Sequence, residues 1–337
     1  MSGSERGGAG FDVVALGSAI VDRLGLVDPP TLAATGLVPG TMTLIDGQEA
    51  ERLWSVAGGA LVAGGSAANT CAGAAALGGS VAFVGRVGDD DLGRSFADDL
   101  ALVGVSFRAP PAVAGAPTAR CVIFVTPDGE RTMRTFLGAA PLLDVDCVDE
   151  SLVAGVGFVY LEGYLWDGPA AAPALHRAID AGRAGGSRVA LSLSDPGCVE
   201  RHRDDFAALL RAGSVDLVFG NESEVTELTG ETSFEAAAAA MAELVPMAAL
   251  TRGPAGSVVV RGGESWAVPA APVDRVVDTT GAGDLYAAGF MVGAVRGLDP
   301  DGCARLGGLA AADVISALGA RPHGDIRAAA RQAGLLP

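Results

Sequence analysis

The chain has 337 residues, of which 50% are hydrophobic, and a formal net charge of −17 at pH 7. A charge this negative argues against binding to nucleic acid or to an anionic membrane, because both partners require a basic surface. All 23 basic residues are arginine. The absence of lysine excludes the Walker-type phosphate loop, the protein-kinase lysine and Schiff-base chemistry. The length fits one large α/β domain with an insertion, or two domains.

The N-terminal segment and the cysteines indicate the cellular setting. Residues 1–10 are polar and rich in Gly and Ser, which predicts a disordered tail. The apolar run 13–21 is too short to span a bilayer. The three histidines lack metal-ligand spacing, so no zinc site is expected. The cysteines are scattered without a C-x-x-C pair, which is typical of free residues in a reducing cytoplasm: Cys71, Cys121, Cys147, Cys198 and Cys303.

The first hundred residues predict alternating strands and helices. Residues 11–17 form an apolar, β-branched run and predict a buried strand. The stretch 18–46 contains several Pro and Gly residues and predicts irregular structure with strands that leave the main sheet. A long alanine-rich helix is expected from about 64 to 79, with Ser66 as its N-cap. A second buried strand and an amphipathic helix are expected at 81–87 and 91–103.

The middle of the chain changes in character and then returns to alternation. Residues 120–126 and 131–136, joined by a turn at 127–129, predict a β-hairpin that belongs to a small second sheet. After residue 138 the expected strands are 157–161, 189–193, 215–219, 248–251 and 257–260, and the expected helices are 169–184, 203–212, 221–229 and 233–245. This alternation predicts a three-layer α/β/α, doubly wound domain whose ligand crevice lies at the carboxyl ends of the strands.

The stretch Asp278–Asp284 (DTTGAGD) is the strongest candidate site. Residues 275–277 are expected to end a strand, and a helix is expected to run to Gly297. The glycines therefore lie where a turn feeds a helix N-terminus, which is a favourable site for an anion. Asp284 falls in the first helical turn, where it could simply cap the helix. Beside a bound phosphate, the same carboxylate could instead take the proton from an attacking hydroxyl.

Three other stretches place polar groups at the end of a strand or the start of a helix. They carry Asp22, Asn69 behind the pair Gly64–Gly65, and Asn221 with Glu224. Because such strand ends converge on one edge of a doubly wound sheet, the stretches are expected to line one cleft together with Asp284. Each of these residues could instead have a purely structural role, and for Asn221 and Glu224 that role is a capping box at a helix start.

From about residue 11 to 322 the chain resembles the ribokinase-like (PfkB) carbohydrate kinases. The two signature regions are the glycine-rich segment from Gly64 to Gly93 and the segment 278–284. The resemblance implies that Asp284 is the catalytic base and that the backbone of Gly281, Ala282 and Gly283 forms an anion hole. It also implies that Asn221 and Glu224 position Mg²⁺ and phosphate, and that sugar hydroxyls are bound by Asp22, Gly65 and Asn69.

Finer features are similar to the adenosine kinase subgroup: Gly17-Ser18 with Asp22, Arg131-Thr-Met, Leu137-Gly-Ala-Ala, Leu191-Ser-Leu-Ser194 and Phe219-Gly-Asn-Glu. This similarity implies that Arg131 meets the phosphates. Ser18 and Gly64 are further substrate-binding candidates, and the predicted apolar base pocket contains Ile20, Leu44, Phe136, Leu137 and Tyr164. The predicted ATP site includes Thr251, Gly253 and Gly256, and Asp278 and Thr280 are candidates for binding a monovalent cation such as K⁺.

The sequence therefore predicts an α/β kinase domain from 11–17, 47–106 and 139–337, with a small β lid from 18–46 and 107–138. The expected reaction is transfer of the ATP γ-phosphoryl group, with Mg²⁺, to a primary hydroxyl of a ribose-containing acceptor, with adenosine as the leading candidate. The alternatives are a sugar kinase acting on ribose, fructose or a modified sugar, and an inactive nucleoside sensor. A cytoplasmic monomer or homodimer with a small-molecule partner is expected.

Overall fold

The computed structural model describes residues 10–110, 112–127 and 130–337. The predicted tail, apart from residue 10, and the centre of the predicted hairpin turn at 128–129 lie outside the described residues. The strands are β1 Val13–Leu16, β2 Ile20–Leu26, β3 Met42–Leu44, β4 Ala60–Gly64, β5 Val81–Val84, β6 Ser106–Arg108, β7 Ala119–Val125, β8 Arg131–Phe136, β9 Phe158–Glu162, β10 Arg188–Ser192, β11 Leu217–Asn221, β12 Met247–Thr251, β13 Ser257–Arg261 and β14 Glu264–Val268.

The helices connect these strands. They are α1 Pro29–Ala34, α2 Gly47–Ala57, α3 Ser66–Ala76, α4 Asp91–Leu102, α5 Glu150–Val153, α6 Ala171–Ala184, α7 Pro196–Arg211, α8 Glu222–Thr229, α9 Phe234–Leu244, α10 Ala282–Arg296, α11 Pro300–Ile315 and α12 Ile326–Gln332. Short 3₁₀ turns occur at 140–142, 145–147, 163–167 and 253–255. None of the helices in the described ranges has the length and apolar character that a bilayer crossing requires.

A nine-stranded sheet forms the centre of the molecule, in the order β14-β13-β12-β11-β10-β9-β1-β5-β6. The strands from β12 to β6 run parallel, and β13 and β14 add an antiparallel hairpin at one edge. The chain leaves β1 toward β5 on one side and returns to β9 on the other. The strand order therefore reverses at β1, and a doubly wound sheet places its ligand crevice at such a switch point.

Alternating residues of the central strands enter two separate cores. In β1, Val13 and Ala15 pack with α3, α10 and α11, whereas Val14 and Leu16 pack with the helices from α5 to α9. All four β1 side chains are buried, which explains the uninterrupted apolar run in the sequence. The structure thus has helices on both faces of the sheet and confirms the predicted three-layer α/β/α architecture.

A second, five-stranded sheet has the order β3-β8-β7-β2-β4. One of its faces is covered by α2, through Leu53 packing with Val122 and Phe124. This sheet extends beyond the predicted lid of 18–46 and 107–138, because β4 at 60–64 pairs with β2. Conversely, residues 106–108 pair with β5 and belong to the main sheet. No strand was expected at 60–64, and the Gly64–Gly65 step leads from β4 directly into α3.

Two other local expectations differ from the structure. Residues 275–277 are not a strand, and Val276 and Val277 are exposed by 52% and 36%. Their β-branched side chains favour extended backbone, but no strand pairs with them in the described chain. Ser66 is the first residue of α3 rather than its N-cap, which is Gly65. The hydroxyl of Ser66 is thereby free for a longer-range contact.

Candidate active site

The loop from Asp278 leads into the N-terminus of α10. Gly281 caps this helix with a φ of 78°, in the left-handed region that favours glycine, and a Cβ there would meet Ala320 at 2.9 Å. The N–H groups of Gly283 and Asp284 donate no hydrogen bond within the described ranges, and the space beside Gly283 is open. The N–H of Ala282 donates to the carbonyl oxygen of Thr279 at 3.2 Å. The free donors are therefore those of Gly283 and Asp284, and the predicted contribution of the Ala282 N–H requires that this bond open.

Asp284 lies in the first turn of α10 and is held by α3. Its Oδ1 accepts a hydrogen bond from the Ser66 hydroxyl at 2.6 Å, and its Oδ2 accepts one from Nδ2 of Asn69 at 3.0 Å. Burial raises the pKa of the Asp284 carboxyl, whereas the bonds from Ser66 and Asn69 and the charge of Arg321 lower it. Asn69, which was predicted to bind the acceptor, thus contacts the predicted base directly in this structure.

A cavity of about 390 Å³ opens beside Asp284, between the two sheets. It is called the central cavity below, and it is lined by Ile20, Asp22, Leu24, Val62, Ala63, Gly65, Ser66, Asn69, Cys121, Ile123, Arg131, Met133, Thr135, Tyr164, Ser194, Thr280, Asp284, Leu318, Gly319, Ala320, Arg321 and His323. The structure therefore brings together Asp22, Gly65, Asn69 and Asp284, whereas the fourth stretch that was expected in the same cleft, with Asn221 and Glu224, does not line this cavity.

Asp22 enters the central cavity from the middle of β2. Burial raises its pKa to about 7, against the lowering effect of Arg321 and Arg131. Gly64 on the neighbouring strand β4 is the register partner of Ile20, and a Cβ at Gly64 would collide with the Asp22 carboxylate. Glycine at this position therefore leaves room for the carboxyl group.

The second sheet gives the central cavity an apolar wall, formed by Ile20, Leu24, Ile123, Met133 and Leu318. The first four project from β2, β7 and β8, and Leu318 comes from the segment after α11. Alternation along β7 places Ile123 on this face and Phe124 on the face covered by α2. The central cavity therefore has a carboxylate end and an apolar side.

Not every predicted substrate residue lines the central cavity. Leu44 lies on β3, at the edge of the second sheet, and is 54% exposed. Leu137 follows β8 outside the cavity lining. Ser18 is buried, and its N–H donates to Oε1 of Glu162 at 3.3 Å. Of the predicted base-pocket residues, Ile20 belongs to the apolar wall and Tyr164 lines the central cavity elsewhere. The sequence did not single out the other residues of the wall, Leu24, Ile123, Met133 and Leu318.

Glu162 was missed by the sequence reasoning. It ends β9, and its Oε2 accepts the N–H of Ala67 at 2.9 Å, while Oε1 accepts that of Ser18. The carboxyl thus fastens the end of β1 to the start of α3. Burial raises its pKa to about 7 against the lowering effect of these hydrogen bonds. In sequence it is one acidic residue behind an apolar strand, a position that gives no sign of contacts 95 and 144 residues away.

Arg131, on β8 of the second sheet, forms an ion pair with Asp278 of the main domain, and both side chains are almost fully buried. Asp278 also accepts N–H bonds from Thr280 at 3.0 Å and Gly319 at 2.7 Å. The Oδ2 of Asp278 thus has two donors and its Oδ1 has one. The role of Asp278 and Thr280 in binding a monovalent cation stays a prediction.

The predicted nucleotide residues lie at neighbouring strand ends. Asn221 and Glu224 form a capping box: Glu224 Oε2 accepts the Asn221 N–H at 2.9 Å, and Asn221 Oδ1 accepts the Glu224 N–H at 3.0 Å. The capping alternative is thus confirmed, and the role of the two residues in positioning Mg²⁺ and phosphate stays a prediction. Thr251 is the register partner of Asn221 on β12, Gly253 begins the 3₁₀ turn that follows, and Gly256 caps the end of that turn.

Glu224 is the candidate for holding Mg²⁺ through water. Burial raises its pKa to about 7, with further raising by Asp195 and Asp284. Within the described residues, no group of three or more His, Cys, Asp or Glu side chains is placed to hold a metal ion directly. A magnesium ion carried by nucleotide phosphates, with Glu224 reached through water, fits this donor set.

Comparison with known proteins is consistent with this geometry. The model of the pfkB family carbohydrate kinases matches residues 31–325. The structure of adenosine kinase from Sinorhizobium meliloti is 45% identical, with a TM-score of 0.89 over 96% of this chain and 100% of that one. A probable sugar kinase from Rhizobium etli is 42% identical, with a TM-score of 0.90 over 97% and 99%. Adenosine kinase from Saccharomyces cerevisiae is 28% identical over 85% of this chain and 89% of its own.

The fold and site define an α/β enzyme in which a helix N-terminus with free N–H donors lies beside a buried carboxylate. The chain belongs to the pfkB family of carbohydrate kinases. It is a phosphotransferase that acts on a hydroxyl group of a sugar or nucleoside, and the family implies ATP as donor, typically with Mg²⁺.

Proposed function

We propose that the protein transfers the γ-phosphoryl group of ATP to the primary hydroxyl of a ribonucleoside, with adenosine as the acceptor. The observation that carries this proposal is the apolar wall of the central cavity, which faces the carboxylates of Asp22 and Asp284. A free sugar presents hydroxyl groups on all sides and would leave this wall in contact with polar groups. A nucleoside has a polar ribose and a flat base, and it matches both parts of the cavity.

The proposed proton transfer uses Asp284. Its carboxylate accepts the proton of the primary hydroxyl while the hydroxyl oxygen forms a bond to the γ-phosphorus, and the bond from that phosphorus to the β,γ-bridging oxygen breaks to release ADP. Ser66 and Asn69 hold the carboxylate in place through both of its oxygens. Because Asp284 starts a helix, the reacting phosphate would face the positive end of the helix dipole.

The anion-stabilising groups come from both sheets. The free N–H groups of Gly283 and Asp284 point from the main domain, and Arg131 comes from the second sheet. Arg131 would exchange its partner Asp278 for the phosphates when the nucleotide binds. When bound, Mg²⁺ would neutralise part of the negative charge of the phosphates. Glu224 and Asn221 would orient the water ligands of the Mg²⁺ ion. Closure of the second sheet over the cavity would exclude water, the competing acceptor.

A sugar kinase is the second candidate. It is favoured by the similarity to the probable sugar kinase from Rhizobium etli, which matches about as well as the adenosine kinase from Sinorhizobium meliloti. An inactive nucleoside sensor is disfavoured, because the carboxylate of Asp284 and the open glycine turn are both intact.

The test is ADP release with MgATP across adenosine, other nucleosides, ribose and fructose. We expect the highest kcat/KM with adenosine. The variant Leu24→Ser should raise the KM for adenosine, because Leu24 belongs to the apolar wall. Leu26→Ser is the matched control, since Leu26 lies two residues along the same strand and is 75% exposed. Preference for ribose or fructose, with no response to Leu24→Ser, would replace adenosine by a sugar.

A further inference from the structure

Arg321 is a buried cation in the wall of the central cavity. Its Nε donates to the carbonyl oxygen of Ala63 at 3.1 Å and its Nη1 to that of Ala68 at 3.1 Å; Nη2 also contacts Ala63. These carbonyls lie at the end of β4 and in the first turn of α3. The side chain of Arg321 is only 15% exposed. The guanidinium therefore ties the segment after α11 to the segment that carries Ser66 and Asn69.

The charge of Arg321 is held by neutral groups rather than by a close carboxylate. Its nearest acidic partner among the described residues is Asp99, whose Oδ2 lies 4.0 Å from Nη2 and itself accepts the N–H of Ala63 at 2.8 Å. A cation in a tight ion pair would be largely neutralised, whereas this one remains available to act on the cavity. The two acids that share the cavity with Arg321 are Asp22 and Asp284.

We propose that Arg321 is a positioning residue for phosphoryl transfer: its fixed charge offsets the repulsion between Asp22 and Asp284, so that Asp284 stays available as a proton acceptor. The inference rests on the proposed role of Asp284. Nothing in the sequence near Arg321 indicates such a role. Arg321 stands in a Gly- and Ala-rich segment that is distant along the chain from Asp22, Asp99 and Asp284.

The electrostatics of the cavity support this assignment. Arg321 lowers the pKa of both Asp22 and Asp284, and it is the one cation among the described residues that does so for both. Arg131 lowers the pKa of Asp22 only. The other polar groups around the two acids include Ser66 and Asn69 from α3, Tyr160 and Glu162 from β9, Glu224 from α8, Cys121 from β7, Arg131 and Thr135 from β8, Tyr164, Ser194, Thr280 and His323. Tyr160, Glu162 and Glu224 bring no positive charge.

The test compares Arg321→Gln, Arg321→Lys and Arg305→Gln. Arg305 is the matched control, because its side chain is 56% exposed and its partner Asp301 is 4.0 Å away at the surface. The first readout is the acid limb of kcat/KM against pH, measured with whichever acceptor the wild type uses. The second is the ionisation of Asp284, followed by carboxyl ¹³C NMR and assigned by the signal lost in Asp284→Asn. The second readout requires no turnover, so failure of the proposed function leaves this test intact.

In Arg321→Gln we expect the acid limb of kcat/KM and the ¹³C titration of Asp284 to move to higher pH, because the variant removes the cation that lowers the pKa of both Asp22 and Asp284. Arg321→Lys, which keeps the charge, should titrate near the wild type even if it melts at lower temperature. Unmoved titrations in a folded Arg321→Gln would overturn the proposal and leave Arg321 a structural tie. If Arg321→Gln does not fold, the Arg321→Lys variant decides the question. A shift of about 1 pH unit or more in its acid limb of kcat/KM would contradict the claim that the positive charge at this position is what matters.

Discussion

Replacing Glu162 by glutamine should change how the stability of the protein depends on pH. Burial raises the pKa of this carboxyl from 4.5 to about 7 in the folded state. Between these values the folded protein retains a proton that the unfolded chain has lost, so wild-type stability falls as the pH rises through this window. The neutral amide of Glu162→Gln does not titrate. The variant should therefore gain stability relative to the wild type between about pH 5 and about pH 8, by roughly 2–3 kcal/mol, because a tenfold change in a proton-binding constant corresponds to about 1.4 kcal/mol.

Urea unfolding of both proteins at a series of pH values measures this difference. Asp22 and Glu224, whose pKa values are also raised to about 7, are present in both proteins and largely cancel in the comparison. Parallel stability curves for wild type and Glu162→Gln would refute the reasoning, since they would mean that the carboxyl is already ionised at low pH by its N–H donors. A variant that loses stability relative to the wild type as the pH rises would give the opposite sign and refute it more strongly.

Three further predictions concern the phosphate and nucleotide side. Gly281→Ala should lower the unfolding temperature and lower kcat, because Cβ would be strained at a positive φ and would meet Ala320; thermal melts and kinetics check this. Arg131→Gln should raise the KM for MgATP and lower kcat by about tenfold or more, the effect of losing a charged anion-stabilising donor, and an unchanged kcat would remove Arg131 from the transfer step. Glu224→Gln should require more Mg²⁺ for half-maximal activity at fixed ATP, and an unaltered Mg²⁺ titration would leave Glu224 a helix cap only.

Local signals in the sequence were sufficient for the fold and for part of the site. The apolar run of β1 predicted a buried strand, and in the structure Val13 and Val14 are buried on opposite faces of the sheet. The helix start at Asp284 and the capping box at Asn221 were also readable, because turn glycines and N-x-x-E act over four residues or fewer. Such patterns depend on neighbours in the chain and are visible without tertiary structure.

The contacts that assemble the site were not readable in the same way. Ser66 and Asp284 are 218 residues apart, and Arg321 meets Ala63 across 258 residues. These pairings depend on how α3 packs against α10 and the main sheet, which no local pattern specifies. The prediction of a strand at 275–277 was wrong because a local preference is not enough. β-Branched residues favour an extended chain, but a strand also requires a neighbouring strand with which to pair.

The central claim is that Asp284 serves as the base in phosphoryl transfer from ATP to adenosine. The most direct measurement is ³¹P NMR of the products formed by wild type and Asp284→Asn from MgATP and adenosine. The wild type should yield ADP and the 5′-monophosphate in equal amounts, and the variant should be folded but slower by roughly 10²–10⁴, the usual contribution of a general base. A variant that forms the monophosphate at the wild-type rate would contradict the account, as would a wild type that leaves adenosine untouched.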